Sequence, residues 1–329
     1  MRTRGWVAST FGTGAGASPL FPPQHPTAES AREAMLHVIR RDVRQVNQDR
    51  SRWTLDAILA VCPWLKLCGA GSLSAWLKRQ GIRYQRARAP VHSPDSAYLA
   101  KLRTVQVCVE RVRVDPTRQV LLFADEFGYE RQPSLSQAYE AVGASQALAE
   151  QGHTSNKAWR VVGAVDALSG RLHSLQQGHI TVPALVRFYQ QLGAAYPQAE
   201  TLYLVVDNWP VHFHPDVRAA LMPQWLPFPI HTPAHWGVTP SARAKRLGLP
   251  IQLVQLPTYA SWCNPIEKVG RQLRQELLHG HRYEDDWNGL RQAVERWLGK
   301  FANGSASLLR SIGLSDLGQL YRAAFDRLA

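Results

Sequence analysis

The chain has 329 residues with 38 Lys and Arg against 25 Asp and Glu, a formal charge of +13. That is length enough for a full core and a second domain, and the charge points to a polyanionic partner, most simply nucleic acid. Four cysteines (Cys62, Cys68, Cys108, Cys263) with no CxxC pair exclude a disulfide scaffold and fit a reduced, cytoplasmic protein. No apolar run approaches the ~20 residues of a membrane span, and no apolar signal core follows Arg2 and Arg4.

Residues 1–27, rich in Gly, Ser, Thr and Pro, read as a disordered arm or a start codon assigned too early. Residues 28–95 read as a basic helical domain. A first helix over 28–46 carries Ala31, Met35, Val38, Ile39, Val43 and Val46 on one side. Thr54 caps a second helix, which Pro63 stops. Gly69-Ala70-Gly71 form a turn, and Ser72 caps a third helix with Leu73, Trp76 and Leu77 inside. This is the outline of a helix-turn-helix, with Ser72, Ser74, Lys78 and Arg79 on the side expected to face DNA. Arg83, Arg86 and Arg88 around Tyr84 suit a wing along phosphates or in a minor groove.

A helical linker (96–117) follows, and from Val120 the pattern changes to short apolar runs. Val120 to Ala124 ends at Asp125-Glu126. Residues 157–166 and 171–177 flank Leu168-Ser169-Gly170, a hairpin signal, so Asp166 reads as a turn residue. Thr181 caps a helix running to about Tyr196, and Leu202 to Val206 is a strand ending at Asp207. A Pro-rich insertion, 215–250, precedes a strand over 251–256. Asn264 then reads as an N-cap with Pro265 at the first helical position, Glu267 in the first turn, and Ile266, Val269, Leu273 and Leu277 as the buried stripe. Helices complete the chain over 286–329. The order predicts an α/β domain over 118–285, one mixed sheet flanked by helices.

In an open sheet, ligands sit beyond the carboxyl ends of the strands. Asp125 and Asp207 each follow an apolar strand, with Glu126 as an alternative to Asp125, and Glu267 is placed to join them. Taken alone, Glu267 reads first as a capping-box residue, ahead of a catalytic one; the strand-end aspartates shift that reading. Three clustered acids repel unless cations neutralise them. Mg²⁺, with Mn²⁺ substituting, is the expected answer, and two ions ~3.5–4 Å apart would suit phosphodiester chemistry. His212, His214, His231 and His235 match no zinc spacing.

The blocks FADEFGY (123–129), VVDNWPVH (205–212) and LPTYASWCNPIEKV (256–269) resemble the signature blocks of mariner-like DDE transposases, in particular their bacterial insertion-sequence branch; VHSPD (91–95) resembles part of that branch's N-terminal region. The resemblance implies an RNase H-like catalytic domain with Asp125, Asp207 and Glu267 as metal-binding triad, and Asn208, His212 and Asn264 beside it. It implies an enzyme that binds the inverted repeats of its own element, cuts the ends and joins the 3′ hydroxyls to target DNA. The expected partners are end and target DNA, with a homodimer assembled on them in the bacterial cytoplasm. Two features depart from the family's pattern: Asp207 and Glu267 lie 60 positions apart, and Gly270 stands where a tryptophan is expected. Arg271 and Arg274 share the Glu267 face and read either as phosphate contacts or as surface pairs. Two other readings stay open: a DNA-binding relic without chemistry, and another RNase H-like nuclease.

Overall fold

A computed structural model describes residues 27–46, 52–85, 93–139 and 148–326. Residues 1–26 of the expected arm (1–27), with Arg86 and Arg88, lie outside the described residues, while Thr27 caps the first helix, its hydroxyl accepting the Ser30 N–H. The chain forms two compact units, residues 1–89 and 90–329.

The first unit is built on α1 (Ala28–Ile39), α2 (Leu55–Val61) and α3 (Ala70–Arg79). Ala31, Met35, Ile58, Cys62, Leu65, Leu73 and Trp76 form its core. The first helix is shorter than its apolar spacing suggests. Asp42 accepts the Arg44 N–H (3.0 Å), and a separate single turn starts there, Val43–Val46. Thr54 caps α2 as expected, its hydroxyl accepting from the Ala57 N–H at 3.2 Å. Ser72 does not cap α3: the helix opens at Ala70 with Gly69 in the cap position, and the Ser72 hydroxyl donates back to the Gly69 carbonyl (3.2 Å). A short turn of helix, Pro63–Leu65, lengthens the connection beyond the three or four residues of a tight helix-turn-helix. Ser72, Ser74, Lys78, Arg79 and Arg83 are all exposed.

The second unit opens with α4 (Tyr98–Val114), then β1 (Gln119–Glu130), β2 (Ala158–Asp166) and β3 (Leu172–Gln177) as an antiparallel meander. Asp166 accepts the Leu168 and Ser169 N–H groups (2.8 and 3.2 Å) and makes the β2–β3 turn. After α5 (Val182–Ala195), β4 (Thr201–Val206) pairs parallel to β1, and β5 (Ile251–Gln255) parallel to β4. The sheet order is β3-β2-β1-β4-β5. Apolar side chains cover both faces. One core joins α4 to the later helices α7 (Glu267–Leu273) and α8 (Trp287–Gly299); the other joins α5 to α6 (Pro215–Ala220). That double burial is why the strands read as unbroken apolar runs.

The Pro-rich insertion is less irregular than its composition suggests. It contains α6, and its two ends meet where Leu221 bridges Leu249. Its next segment runs beside the edge strand β5. The Gln224 carboxamide takes the Leu253 N–H (2.9 Å) and donates to the Ile251 carbonyl (2.7 Å); Gln252 answers to the Trp225 carbonyl (2.9 Å). Side-chain amides thus occupy backbone groups that an open sheet edge leaves unpaired.

Candidate active site

The parallel β1–β4 pairing ends at Phe123↔Val205, but β1 does not stop there. It continues to Glu130 against β2, so Asp125 lies inside a strand, opposite Gly163, just past the last parallel rung. β4 ends at Val206 and delivers Asp207 to the same edge. Asp207 accepts the Trp209 N–H (3.0 Å), and the Asn208 amide donates to the Leu256 carbonyl (2.9 Å), tying the ends of β4 and β5 together.

Glu267 arrives from α7, though not by the expected route. Asn264 is not the helix cap. It is 2 % exposed, and its amide donates to the carbonyl of Ala124 (2.9 Å), the residue before Asp125. Ile266, already helical in backbone, takes the cap position with no side-chain cap. Asn264 therefore fastens the turn before α7 to the strand carrying Asp125. Farther on, α7 passes into one wide turn with π geometry, Arg274–Leu278. The extra residue in that turn rotates the stripe by one, so Leu278 is buried where Leu277 was expected.

Asp125, Glu126, Asp207, Asn208, Asn264 and Glu267 line one cavity of about 490 Å³. Asp125 and Glu267 share a hydrogen bond. Burial, then the charges of Glu267 and Asp207, push the Asp125 carboxyl up to about 8. Burial also raises Glu267 and Asp207. Glu126 is raised by burial, with Arg160 opposing at 3.6 Å. Near neutral pH, Asp125 and Glu267 thus hold a proton between them, the ordinary response of crowded acids without a counter-charge.

Among the described residues no three Asp, Glu, His or Cys side chains converge as ligands would around an ion. The donor set nevertheless suits a hard divalent cation. It is all oxygen; the repulsion lifting Asp125 is what such a cation relieves; and the buried Asn264 Oδ1 has no partner.

His212 is buried, its Nε2 3.7 Å from Asp207 Oδ1 and its Nδ1 2.7 Å from the Tyr189 hydroxyl. Burial draws it down to about 3, so the imidazole is neutral. The Tyr189 hydroxyl and Nδ1 share one hydrogen bond in which either can be the donor, and Nε2 faces Asp207. The other histidines do not join it. His214 accepts the Asp216 N–H at the start of α6 (3.1 Å), and His231 and His235 are exposed.

Gly270 has a structural partner that the sequence did not reveal. The Phe127 side chain fills the place a larger residue would need: a Cβ on Gly270 would lie 3.2 Å from Phe127 Cβ and Cγ. Gly163 lies against the same ring and Ile266. The helix is therefore packed, not underpacked. Gly270→Trp is expected to destabilise the protein by about 1–3 kcal/mol through overpacking, with Phe127→Ala in the same chain recovering part of the loss. Urea unfolding of the two variants measures both, and equal stability of Gly270→Trp and the parent would remove this account. Arg271 and Arg274 make no ion pair among the described residues, yet both lie near enough to Glu267 for their charges to lower its pKa.

A family model described as DDE superfamily endonuclease matches residues 120–288. The insertion element IS630 uncharacterized 39 kDa protein of Shigella sonnei is 19% identical over 260 residues, covering 78% of this chain and 67% of that protein. Among solved structures, the mariner Mos1 paired end complex with Mg matches at TM-score 0.57 and 13% identity, over 96% of this chain and 83% of that one. The Mos1 strand transfer complex matches at TM-score 0.55 and 14% identity, over 95% and 81%. These likenesses bear on the fold, an RNase H-like mixed sheet with helices on both faces and a helical N-terminal region.

Proposed function

The chain belongs to the DDE superfamily endonucleases, and from that premise we propose that it is the transposase of an insertion element, cutting the element's ends and joining them to target DNA. The observation that carries this reading is the meeting of Asp125, Asp207 and Glu267 in one cavity. Sequence relatedness to an IS630 protein and the fold shared with Mos1 support it.

Asp125, Asp207 and Glu267 would hold Mg²⁺ or Mn²⁺, with Asp125 and Glu267 giving up their shared proton. Such ions, in a pair, supply an activated attacking oxygen and charge neutralisation at the leaving one. The chain's own groups do the rest. Asn264 and Asn208 fix the strand ends that carry the acids. Neutral His212 faces Asp207 from behind without adding charge. Arg271 and Arg274 run along the Glu267 side, where a phosphate backbone would pass. The first unit, with Ser72, Ser74, Lys78, Arg79 and Arg83 exposed, would hold the inverted repeat, and two copies would pair two ends. Water attacks the scissile phosphate first; the freed 3′ hydroxyl attacks target DNA second.

The direct test is cleavage of a duplex carrying the inverted repeat that flanks the reading frame. The expected result is strand cleavage at the repeat's end, dependent on Mg²⁺ or Mn²⁺. Sequence-specific binding with no cutting under either ion would leave a DNA-binding protein without chemistry.

The proton on Asp125 gives a second, independent expectation. Its folded pKa, about 8, lies above its ordinary value of 3.8. The folded protein therefore binds more protons than the unfolded chain between those values, and metal-free stability falls as pH rises through that window. Divalent ions at the site should remove the proton. At pH 7, calorimetric Mg²⁺ titrations in buffers of different ionisation enthalpy should report release of about one proton, fading above pH 8. Release that is zero at pH 7 would separate Asp125 from the metal site.

A further inference from the structure

Past Phe123, β1 has a strand on one side only. β2 pairs with it as far as Glu130, whereas the pairing with β4 ends at the Phe123↔Val205 rung. Alternate residues turn their N–H and C=O groups to the unpaired side. There the Ala124 carbonyl accepts from the Asn264 amide at 2.9 Å, and the Glu126 N–H donates to Asp125 Oδ1 at 2.8 Å. Gly128, next along that side, lines a second cavity of about 380 Å³.

Two arginines line this second cavity, and contacts tie both to the carboxylate site. Arg160 lies opposite Gly128 on β2. Its side chain crosses β1 where Gly128 has none: a Cβ on Gly128 would lie 3.3 Å from Arg160 Cδ and Nη1. The crossing brings Arg160 Nε to 3.6 Å from Glu126 Oε1, and Glu126 lines the cavity of the acids. Arg274 begins the wide turn that follows α7, near enough to Glu267 for its charge to act on that carboxyl. The two cavities are therefore neighbours, with Glu126 and Arg160 at the passage between them.

A half-exposed arginine beside a glutamate is commonly just a surface pair. Here the separation of 3.6 Å is too long for a hydrogen bond, and among the described residues neither the Arg160 nor the Arg274 guanidinium makes one. The other polar side chains of the cavity are already engaged. Glu130, its one acid, accepts from the Asn156 amide at 2.6 Å. The Gln132 carboxamide donates to the Gly152 carbonyl (2.9 Å) and accepts the Gly152 N–H (3.0 Å), and the Ser134 hydroxyl is 2.8 Å from His279 Nδ1. What is left open is two planar forks of N–H donors, the geometry that matches a phosphate. Two cations sharing a cavity also repel, as the neighbouring acids do, and an anion between them relieves that.

We propose that Arg160 and Arg274 form a phosphate subsite at the unpaired side of β1, which grips the strand being cut at a linkage neighbouring the one that breaks. The ligand is a backbone phosphodiester of DNA, held by charge and fork geometry and not by base sequence. This rests on the transposase reading above. Arg160 acts as a positioning residue: it fixes the strand so that the next phosphate falls over Asp125, Asp207 and Glu267.

The test uses full-length protein and end duplexes in which single linkages of the cut strand, one per duplex, are made neutral as methylphosphonates. Single-turnover cleavage in Mg²⁺ is measured on each. For the parent, one linkage beside the scissile one should be sensitive, its neutralisation slowing cleavage roughly tenfold to a hundredfold, the worth of a charge-assisted contact. Arg160→Ala should be slower by a similar factor on the unmodified duplex and should no longer respond at that linkage, while its response at every other linkage matches the parent's. Arg274→Ala should lose sensitivity at the same linkage. Arg160→Lys keeps the charge without the fork and should restore part of the response. A fault in folding would slow every duplex alike and leave the pattern of sensitivity unchanged. Arg160→Ala with the parent's full sensitivity at every linkage therefore overturns the proposal. A parent that fails to cut the unmodified duplex overturns the transposase reading beneath it.

Discussion

Asp207→Asn is expected to lower divalent-dependent cleavage of end DNA by about 10³-fold or more while leaving end binding within a few-fold of the parent. Charge stabilisation by a metal centre is worth several kcal/mol, and each 1.36 kcal/mol is tenfold in rate. The substitution keeps the shape of the side chain and the oxygen that accepts the Trp209 N–H at 3.0 Å. The turn leaving β4 should therefore survive, and the loss should be one of charge at the cavity. Asp207 suits this test better than Asp125. Asp125, whose carboxyl is pushed up to about 8, already carries a proton near neutral pH, so Asp125→Asn removes the cost of taking up that proton on folding and should melt at higher temperature than the parent in EDTA. Single-turnover cleavage and a gel shift on the same DNA supply the two numbers for Asp207→Asn. Cutting at the parental rate would take Asp207 out of the chemistry, and a parallel loss of binding would make the defect structural.

What the sequence made legible here is mostly local. The strand through Val206, the cap at Thr181, the turn role of Asp166 and the apolar stripe of α8 each depend on residues within one element, and the coordinates contain all four. The misreadings come from partners far along the chain. An apolar run ending at Ala124 looks complete, yet β1 runs on to Glu130 because β2 supplies rungs that an isolated run does not reveal. Asn264 has the sequence context of an N-cap, but its amide goes to Ala124, 140 positions away. Gly270 looks like a loss of packing until Phe127 is seen to occupy the space. In each case a long-range contact outweighed a local preference, and these three contacts all lie at the carboxylate cluster.

The largest stability effect belongs to Asp95, in a segment that carried little signal beyond its place in a motif. Its carboxylate meets the Lys101 ammonium at 2.8 Å and accepts the Thr258 N–H at 2.8 Å and the Ala97 N–H at 2.9 Å. Ser93 reaches the same loop, donating its hydroxyl to the Thr258 carbonyl at 2.5 Å. Thr258 lines the cavity that holds Asp125, Asp207 and Glu267, so the stretch 93–101 holds its rim through one residue. Lys101 is only 4 % exposed, its ammonium 5.6 Å from the Phe228 ring, with no carboxylate but Asp95 in ion-pair reach among the described residues. Asp95→Ala strands that charge in a buried place and should cost about 3–5 kcal/mol. Lys101→Met added to it should recover much of the loss, because the uncompensated charge outweighs the two lost N–H contacts. The pH dependence carries its own sign. Burial works to raise Asp95, but Lys101 and the two N–H groups outweigh it and hold the carboxyl down at about 2. Its contribution is therefore full above the ordinary carboxylate range and fades as pH falls toward 2, so the gap between parent and Asp95→Ala should narrow on acidification. Urea unfolding at pH 7 and pH 3 measures that gap, and a deficit below about 1 kcal/mol at pH 7 would mean that water reaches Lys101 when its partner is gone. Cleavage by the variant, assayed well below its melting temperature, should fall as well, since the loop that closes the cavity over Asp125 and Asp207 has lost its only charged anchor among the described residues.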